Sequence, residues 1–544
     1  MDFQPYMVVQ FAFLAMMALF IGYEVRYSSN THNNREKRIT YLTLTFLLIG
    51  IIVRSVNLAY PHGVYVDESM GAYDSWSLAN YGVDSNLASY PVYLKSWGTG
   101  QSALYAYAAL PFIKLLGLNA EAYRLPASLI GCFSLIFFYY TLRKTQKSVS
   151  LVAVCTFFLA ISPWHIMKSR FGLDCNICPD MILIAACFFL LYLHSCNNKR
   201  FWFLLFGFIF LYLAAYAYGV SWLMLPVFYI CIIIYLIKSR KSDQRKIIYT
   251  AISSILLLIP LILFAIVLFF KLDIIKLGPL TIPVLNEGRH NHTMNPIGDL
   301  NLAIIYNYIK SAVKIVILGS DYHSGDIMNA ISPYGTFYNA FTIIFTVIGI
   351  YSAYRKKGSL NTIFGLWLLA CIPIIILVTP SVWHWNILWF PLIYFSAYGI
   401  WIAIEYKKIF ALSIPIYIII FGCFLRFYFN KEKNSPFYSW TYENEMKFIR
   451  TINPSKVYYP WEFTQGEILF YNPISPYVFA NTRIDRGEGI KIAKSFDNAV
   501  IGLPNNMEPT PKTAYLIPNV TLQYIDRKQF KIKQGKYYSV IWND

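Results

Sequence analysis

Charge is what this chain is short of. Only 14% of its 544 residues are Asp, Glu, Lys or Arg, while 57% are hydrophobic and 18% aromatic. Soluble domains carry about 25% charge, so a water-soluble globule is excluded and an integral membrane protein is expected. Phosphate-binding glycine loops are missing too. No Walker-type loop is visible, which removes the P-loop nucleotide enzymes. Cysteine is scarce where it could crosslink. Of nine cysteines, almost all lie in apolar runs and none falls in 430–544, so that stretch has no disulfide of its own. Cys175 and Cys178 have no second pair and sit at a predicted helix start, which reads as small apolar filler rather than a metal or redox site. The formal net charge of +18 does not imply nucleic acid, because the basic residues cluster in short loops between apolar runs.

What the chain has is apolar runs near the ~20 residues that cross a bilayer. They fall at about 5–23, 39–59, 122–142, 149–167, 176–195, 201–218, 220–237, 247–270, 335–353, 361–379, 386–405 and 408–427. The two runs between 201 and 237 are split near Tyr218-Gly219. The first run has neither a basic segment before it nor a small-residue cleavage site after it, so a retained helix is expected, not a signal peptide. Counting twelve spans puts Arg26, Arg38, Arg143, Lys144, Lys238, Arg240, Arg355 and Lys356 inside. The short outer loops near 219 and 380–385 have no Lys or Arg.

The expected architecture is a polytopic α-helical membrane domain, 1–429, with external loops 60–120 and 271–334. A small extracytoplasmic α/β domain, 430–544, follows. Two interfacial helices are expected in 60–120: one from Asp67 to a stop at Gly82, and one over about 101–116 that ends at Gly117. Residues 302–318 carry a polar stripe of Asn307, Lys310, Ser311 and Lys314. A helix in the headgroup layer and a solvated helix both fit it. In 430–544, alternation over Lys456–Tyr459, Ala514–Ile517 and Tyr537–Trp542 predicts strands, with a helix near 440–452.

Polar residues at predicted helix edges gather on the outer side: Asp67, Glu68, Lys95, Arg124, His165, Arg170, Asp174, Asn176, Arg289 and His384. Charge at membrane depth is costly and tends to be functional. ATP and nucleotide sugars are not normally available outside, so location points to a transferase that draws on a lipid-linked donor. Such chemistry needs a base for the attacking hydroxyl and cations for the departing phosphate. Asp67 or Glu68 can be the base. Arg124, Arg170, Lys95, Arg289 and His384 are candidates for the phosphate. Each has a plain structural alternative: a helix cap for Asp67-Glu68, snorkelling for Arg124, a surface charge for Lys95, a satisfied helix-end histidine for His165.

Three stretches resemble the GT-C glycosyltransferases of the glycosyltransferase 39 type, the protein O-mannosyltransferases and aminoarabinose (lipid A) transferases. They are Asp67-Glu68 with Tyr73, Ala79 and Gly82; Leu104-Tyr105 to Pro111, Leu116-Gly117 and Tyr123-Arg124-Leu125-Pro126-Ala127; and Ile161-Ser162-Pro163-Trp164-His165 with Ser169-Arg170 and Asp174. The resemblance covers about 60–240, is general over 335–427, where His384 through Pro391-Leu392 takes part, and is absent from 430–544. It implies a GT-C-like fold and an inverting transfer from a polyprenyl-phosphate-linked sugar donor to a glycan, lipid or protein acceptor outside the cytoplasm. A bacterial plasma membrane is the expected location. It implies Asp67 as base, Glu68 as its support and Asp174 as a second acidic position lining the cavity. Arg124 and Arg170 would shape the phosphate site, and no metal or other cofactor is implied. Two departures stand out: an extra helix at 5–23, and Thr99-Gly100-Gln101-Ser102 where relatives often carry Lys-Pro, with Lys95 the nearest substitute. The competing reading from another class is a transporter or flippase of lipid-linked glycans. It calls for related halves or broken helices at the midplane, and no convincing repeat is visible.

Overall fold

The computed structural model describes residues 6–29, 33–98, 100–196, 199–285, 302–319, 333–430, 441–487 and 491–543. The chain packs as two compact units. One comprises Met1–Asn57, Arg124–Leu261 and His290–Lys433; the other comprises Leu58–Tyr123, Ile262–Arg289 and Asn434–Asp544.

Among the described residues, ten helices are long and apolar enough to cross a membrane. The other two expected spans are present as shorter helices, Val149–Ile161 of 13 residues and Asn339–Arg355 of 17. The first is cut short where Pro163, which has no N–H, starts a new turn. Ser162 caps that turn by accepting the His165 N–H at 3.4 Å. The run at 201–237 divides as expected, into Arg200–Ala217 and Ser221–Ser239.

In the first unit the Asp174–His194 helix is the axis: 89% of its apolar window is enclosed, against 17% for Tyr6–Arg26 and Lys408–Tyr428, which form the rim. Asn339–Arg355 and Trp389–Tyr406 meet backbone to backbone. A Cβ on Gly349 would overlap the Phe395 carbonyl oxygen, and one on Gly399 the Phe345 carbonyl oxygen. Small residues allow such close crossings between apolar helices. The Leu302–Leu318 helix exposes Leu302, Tyr306, Ile309 and Val313 along with its polar stripe.

The second unit carries both expected interfacial helices. Val66–Tyr81 stops at Gly82 (φ 71°) and Leu104–Leu116 at Gly117 (φ 82°), left-handed positions that a Cβ would strain. Two short antiparallel pairs accompany them: β1 (Tyr93–Leu94) with β2 (Gln101–Ser102), and β3 (Ile275–Leu277) with β4 (Leu280–Ile282). The remaining strands are β5 (Lys456–Tyr459), β6 (Ile484–Asp485), β7 (Ala493–Phe496), β8 (Ala499–Ile501), β9 (Thr513–Pro518), β10 (Lys531–Gln534) and β11 (Tyr538–Trp542). They form one sheet in the order β10-β11-β9-β5-β8-β7-β6, parallel only where β5 meets β8 and β9. The helix Glu443–Ile452 precedes it.

The 430–544 stretch packs with the first loop. Tyr73 donates its hydroxyl to the Ile474 carbonyl at 2.8 Å, Gly466 lies against Ser69 and Met70, and the Lys491 N–H reaches the Trp97 carbonyl at 2.9 Å. The β3–β4 hairpin joins the same unit through Val92 N–H to the Thr281 carbonyl at 2.9 Å.

Candidate functional site

Asp67 and Glu68 begin as neighbours and end with different surroundings. Both lie in the first turn of Val66–Tyr81. Glu68 is wholly buried, and its Oε2 accepts the Tyr65 N–H at 3.4 Å, one half of a capping box that ties the helix to the turn before it. Asp67 is half-buried, and its Oδ1 accepts the Trp97 indole N–H at 2.9 Å. Trp97 adopts a left-handed backbone (φ 56°) and is followed by Gly98 and Gly100, both at positive φ. A non-glycine residue in that region costs energy and persists only when its surroundings hold it. The bond from Lys491 N–H to the Trp97 carbonyl is such a hold. Trp97 therefore orients Asp67, and the Gly98-x-Gly100 turn was its only signal in the sequence.

Two more carboxylates of this unit are buried. Asp74 accepts the Ser85 N–H at 2.9 Å and the Ser96 hydroxyl at 3.2 Å. Asp84 Oδ1 accepts the Asn86 and Ala88 N–H groups at 2.9 Å each, while its Oδ2 has no hydrogen-bond partner among the described residues. Burial pushes Asp84 up to about 7, with the Asp74 charge adding to the shift, and pushes Asp74 up to about 6. Lys95 is half-buried at the edge of a cleft described below.

In the first unit, Arg124 is wholly buried near the start of the Ala120–Thr145 helix. Asp174 opens the Asp174–His194 helix, 3% exposed, with its Oδ1 on the Cys175 N–H at 2.7 Å. Arg170 stands differently from the phosphate holder expected of it. Its Nη1 donates to the Val53 and Val56 carbonyls at 2.7 Å each and its Nη2 to the Asn57 carbonyl at 2.5 Å, so it caps the C-terminus of the Asn34–Ser55 helix. His384 Nδ1 lies 3.2 Å from the Thr379 carbonyl, in the loop before Asn386. Arg289 lies outside the described residues.

His165 is the satisfied histidine of the structural alternative, and it belongs to a network. Arg54 Nε donates to its Nδ1 at 2.9 Å, so the ring proton sits on Nε2 and points to Asp180 Oδ1, 3.0 Å away. Asp180 also accepts the Ser134 hydroxyl at 2.6 Å and pairs with Lys168. Arg54 spends its other nitrogens on the Gly50, Leu159 and Ala160 carbonyls at 2.8 Å. Lys168 and Asp180 pair with each other, and Arg54 is satisfied by one ring nitrogen and three carbonyls, so none of these buried groups lacks polar partners. Arg54 and Asp180 were visible as ionisable residues inside predicted spans. Among the described residues, no three His, Cys, Asp or Glu side chains gather as a metal site would require.

No family model matches the chain, and no curated protein matches it. Solved structures do. ArnT from Cupriavidus metallidurans in the apo state aligns with a TM-score of 0.58 at 10% identity, covering 92% of this chain and 98% of that one. The same protein bound to undecaprenyl phosphate aligns at 0.59 with the same identity and coverage. The archaeal oligosaccharyltransferase AglB from Archaeoglobus fulgidus is more distant, at TM-score 0.44 and 10% identity over 80% of this chain and 64% of its own. At such identity the likeness is one of fold. The chain has a polytopic, GT-C-like fold with a small sheet-bearing region at its C-terminus. In particular it has the fold of ArnT, over nearly the whole of both chains.

Proposed function

We propose that this protein is a membrane glycosyltransferase. It moves a sugar from a polyprenyl-phosphate-linked donor to a hydroxyl of a glycan, lipid or protein acceptor on the extracytoplasmic side, with Asp67 as base. The observation that carries the proposal is the ArnT fold across 92% of this chain, one of the two ArnT structures being bound to undecaprenyl phosphate. The two carboxylates of the first loop support it at residue level. Glu68 is withdrawn into a helix cap, while Asp67 keeps partial exposure and is oriented by a second side chain.

In this mechanism an Asp67 oxygen takes the proton of the acceptor hydroxyl as that oxygen attacks the anomeric carbon. The bond from that carbon to the phosphate oxygen breaks, and the polyprenyl phosphate leaves with the electron pair. A single displacement inverts the anomeric centre. Negative charge grows on the departing phosphate, where a positioned cation acts most strongly. Arg124 and His384 of the first unit are proposed for that role, with Asp174 as a second acidic position and Arg170 acting through the helix it caps.

The test is mass analysis of envelope glycans and lipid-linked sugars with and without the gene. Loss of one sugar from the envelope together with build-up of a carrier-linked sugar is expected. An unchanged profile in both pools would sink the proposal. In purified protein, Asp67→Asn is expected to lower transfer by ~10²–10⁴-fold, the usual worth of a general base.

A further inference from the structure

A cleft of about 670 Å³ opens within the second unit, lined by residues far apart in sequence: from 85–98, from 274–284, from 480–485, and Lys491. Among the described residues four cations line it, Lys95, Lys276, Arg483 and Lys491, against one carboxylate, Asp485. That carboxylate is already engaged, since its Oδ1 accepts Arg483 Nε at 2.5 Å. Arg483 Nη2 donates to the Lys491 carbonyl at 2.9 Å, and the two bonds together fix the guanidinium plane. Lys95, Lys276 and Lys491 make no ion pair among the described residues. The cations feel one another. Burial lowers the Lys95 ammonium below its ordinary range, and Arg483 and Lys491 press it the same way against the pull of Asp84. A half-buried surplus of positive charge concentrates anions.

The rest of the lining narrows the ligand. Ser85, Asn86, Ser89 and Thr281 supply hydroxyl and amide groups. Among the described residues no aromatic ring lines the cleft for stacking on a neutral sugar. The cleft ends one residue short of the side chain that orients the proposed base. Gly98 lines it, and the preceding residue, Trp97, holds Asp67 with its indole N–H.

We propose that this cleft binds the acceptor, and that the acceptor is an anionic glycan. Its phosphate or carboxylate groups lie among Lys95, Lys276, Arg483 and Lys491 while a neighbouring hydroxyl is offered to Asp67. Only that last step rests on the transferase proposal; capture of the anion does not.

The experiment uses the full-length protein in nanodiscs of zwitterionic lipid. It is titrated with fluorescent glycerol-phosphate and galacturonate oligomers and with a neutral maltodextrin of equal length. At least one anionic oligomer is expected to bind, which identifies the anion, and the neutral one is not. Salt should weaken the binding. The double variant Lys276→Gln/Lys491→Gln, which removes no bonded side-chain group, should weaken it by ~10-fold or more. Equal binding of maltodextrin, or an unchanged affinity in the double variant, overturns the proposal. So does absence of oligomer binding with loss of co-purifying anionic phospholipid in the variant, since the occupant would then be a lipid headgroup. Oligomer binding that persists in a wild-type protein unable to transfer sugar supports the site and overturns the transferase proposal alone.

Discussion

Replacing Trp97 by Phe tests whether Asp67 is an oriented base. The change keeps an aromatic ring and the backbone requirement at φ 56°, and removes one indole N–H from a carboxylate oxygen 2.9 Å away. Hydrogen bonds to charged groups are worth ~1.5–3 kcal/mol. If that bond holds the carboxylate in its working position, its loss should slow transfer by ~10–150-fold, at 1.36 kcal/mol per factor of ten. The bond also favours the ionised carboxylate, so its removal raises the carboxyl's affinity for a proton. A base works only when deprotonated. The acidic limb of the rate profile should therefore move to higher pH, and the variant should be most impaired on the acid side. The assay follows loss of the carrier-linked sugar from a native lipid extract by mass spectrometry, with envelope membranes of cells lacking the gene as acceptor, from about pH 5.5 to 8.5. Thermal unfolding of the same preparation separates catalysis from folding. A rate within twofold of wild type at every pH, with the acidic limb unmoved, would refute the orienting role.

Three further outcomes are expected. Glu68→Ala removes the acceptor for the Tyr65 N–H and should lower stability by ~1 kcal/mol, whereas Glu68→Gln keeps the acceptor; thermal unfolding and transfer rates of both variants check that Glu68 supports the helix start. Gly349→Leu forces a side chain into the Phe395 carbonyl and should cost ~1–3 kcal/mol or more, read as a lower unfolding midpoint and loss of monodispersity in detergent. Asp84 gives the pH dependence. Its folded carboxyl is pushed up to about 7, so the folded state holds a proton that the unfolded state releases near pH ~4. That stability is fully present below the unfolded value and is lost as pH rises towards 7, by up to ~1.4 kcal/mol per pH unit for the group. Asp84→Asn should flatten the midpoint between about pH 5 and 8 and exceed wild type at pH 8, leaving a smaller slope from Asp74; a variant as pH-dependent as wild type would refute the assignment.

Some of this protein follows from local rules. The helices and strands obey periodicities of a few residues, so Val66–Tyr81, Leu104–Leu116, Glu443–Ile452 and the strands at 456–459, 513–518 and 538–542 were legible in the chain. Their stops were legible for the same reason, since Gly82 and Gly117 sit where a Cβ is strained. Asp67 stood out because a charge near an apolar run is costly wherever the chain folds.

Partners were not legible. Trp97 lies 30 residues from Asp67 and Asn57 lies 113 from Arg170, and no spacing rule links them. The residues alone allowed either Asp67 or Glu68 as base, the resemblance favoured Asp67 with Glu68 in support, and Arg170 was offered to the phosphate site. The structure made Glu68 a cap, gave Asp67 a second side chain to lean on, and spent Arg170 on three carbonyls. It also packed 434–544 with 58–123 and 262–289, which drew Lys95, Lys276, Arg483 and Lys491 to one cleft. Local geometry decides what each segment can be, within a few residues' reach. Which segments meet is decided by burial and close packing summed over the whole chain, and that sum exists only in the tertiary structure.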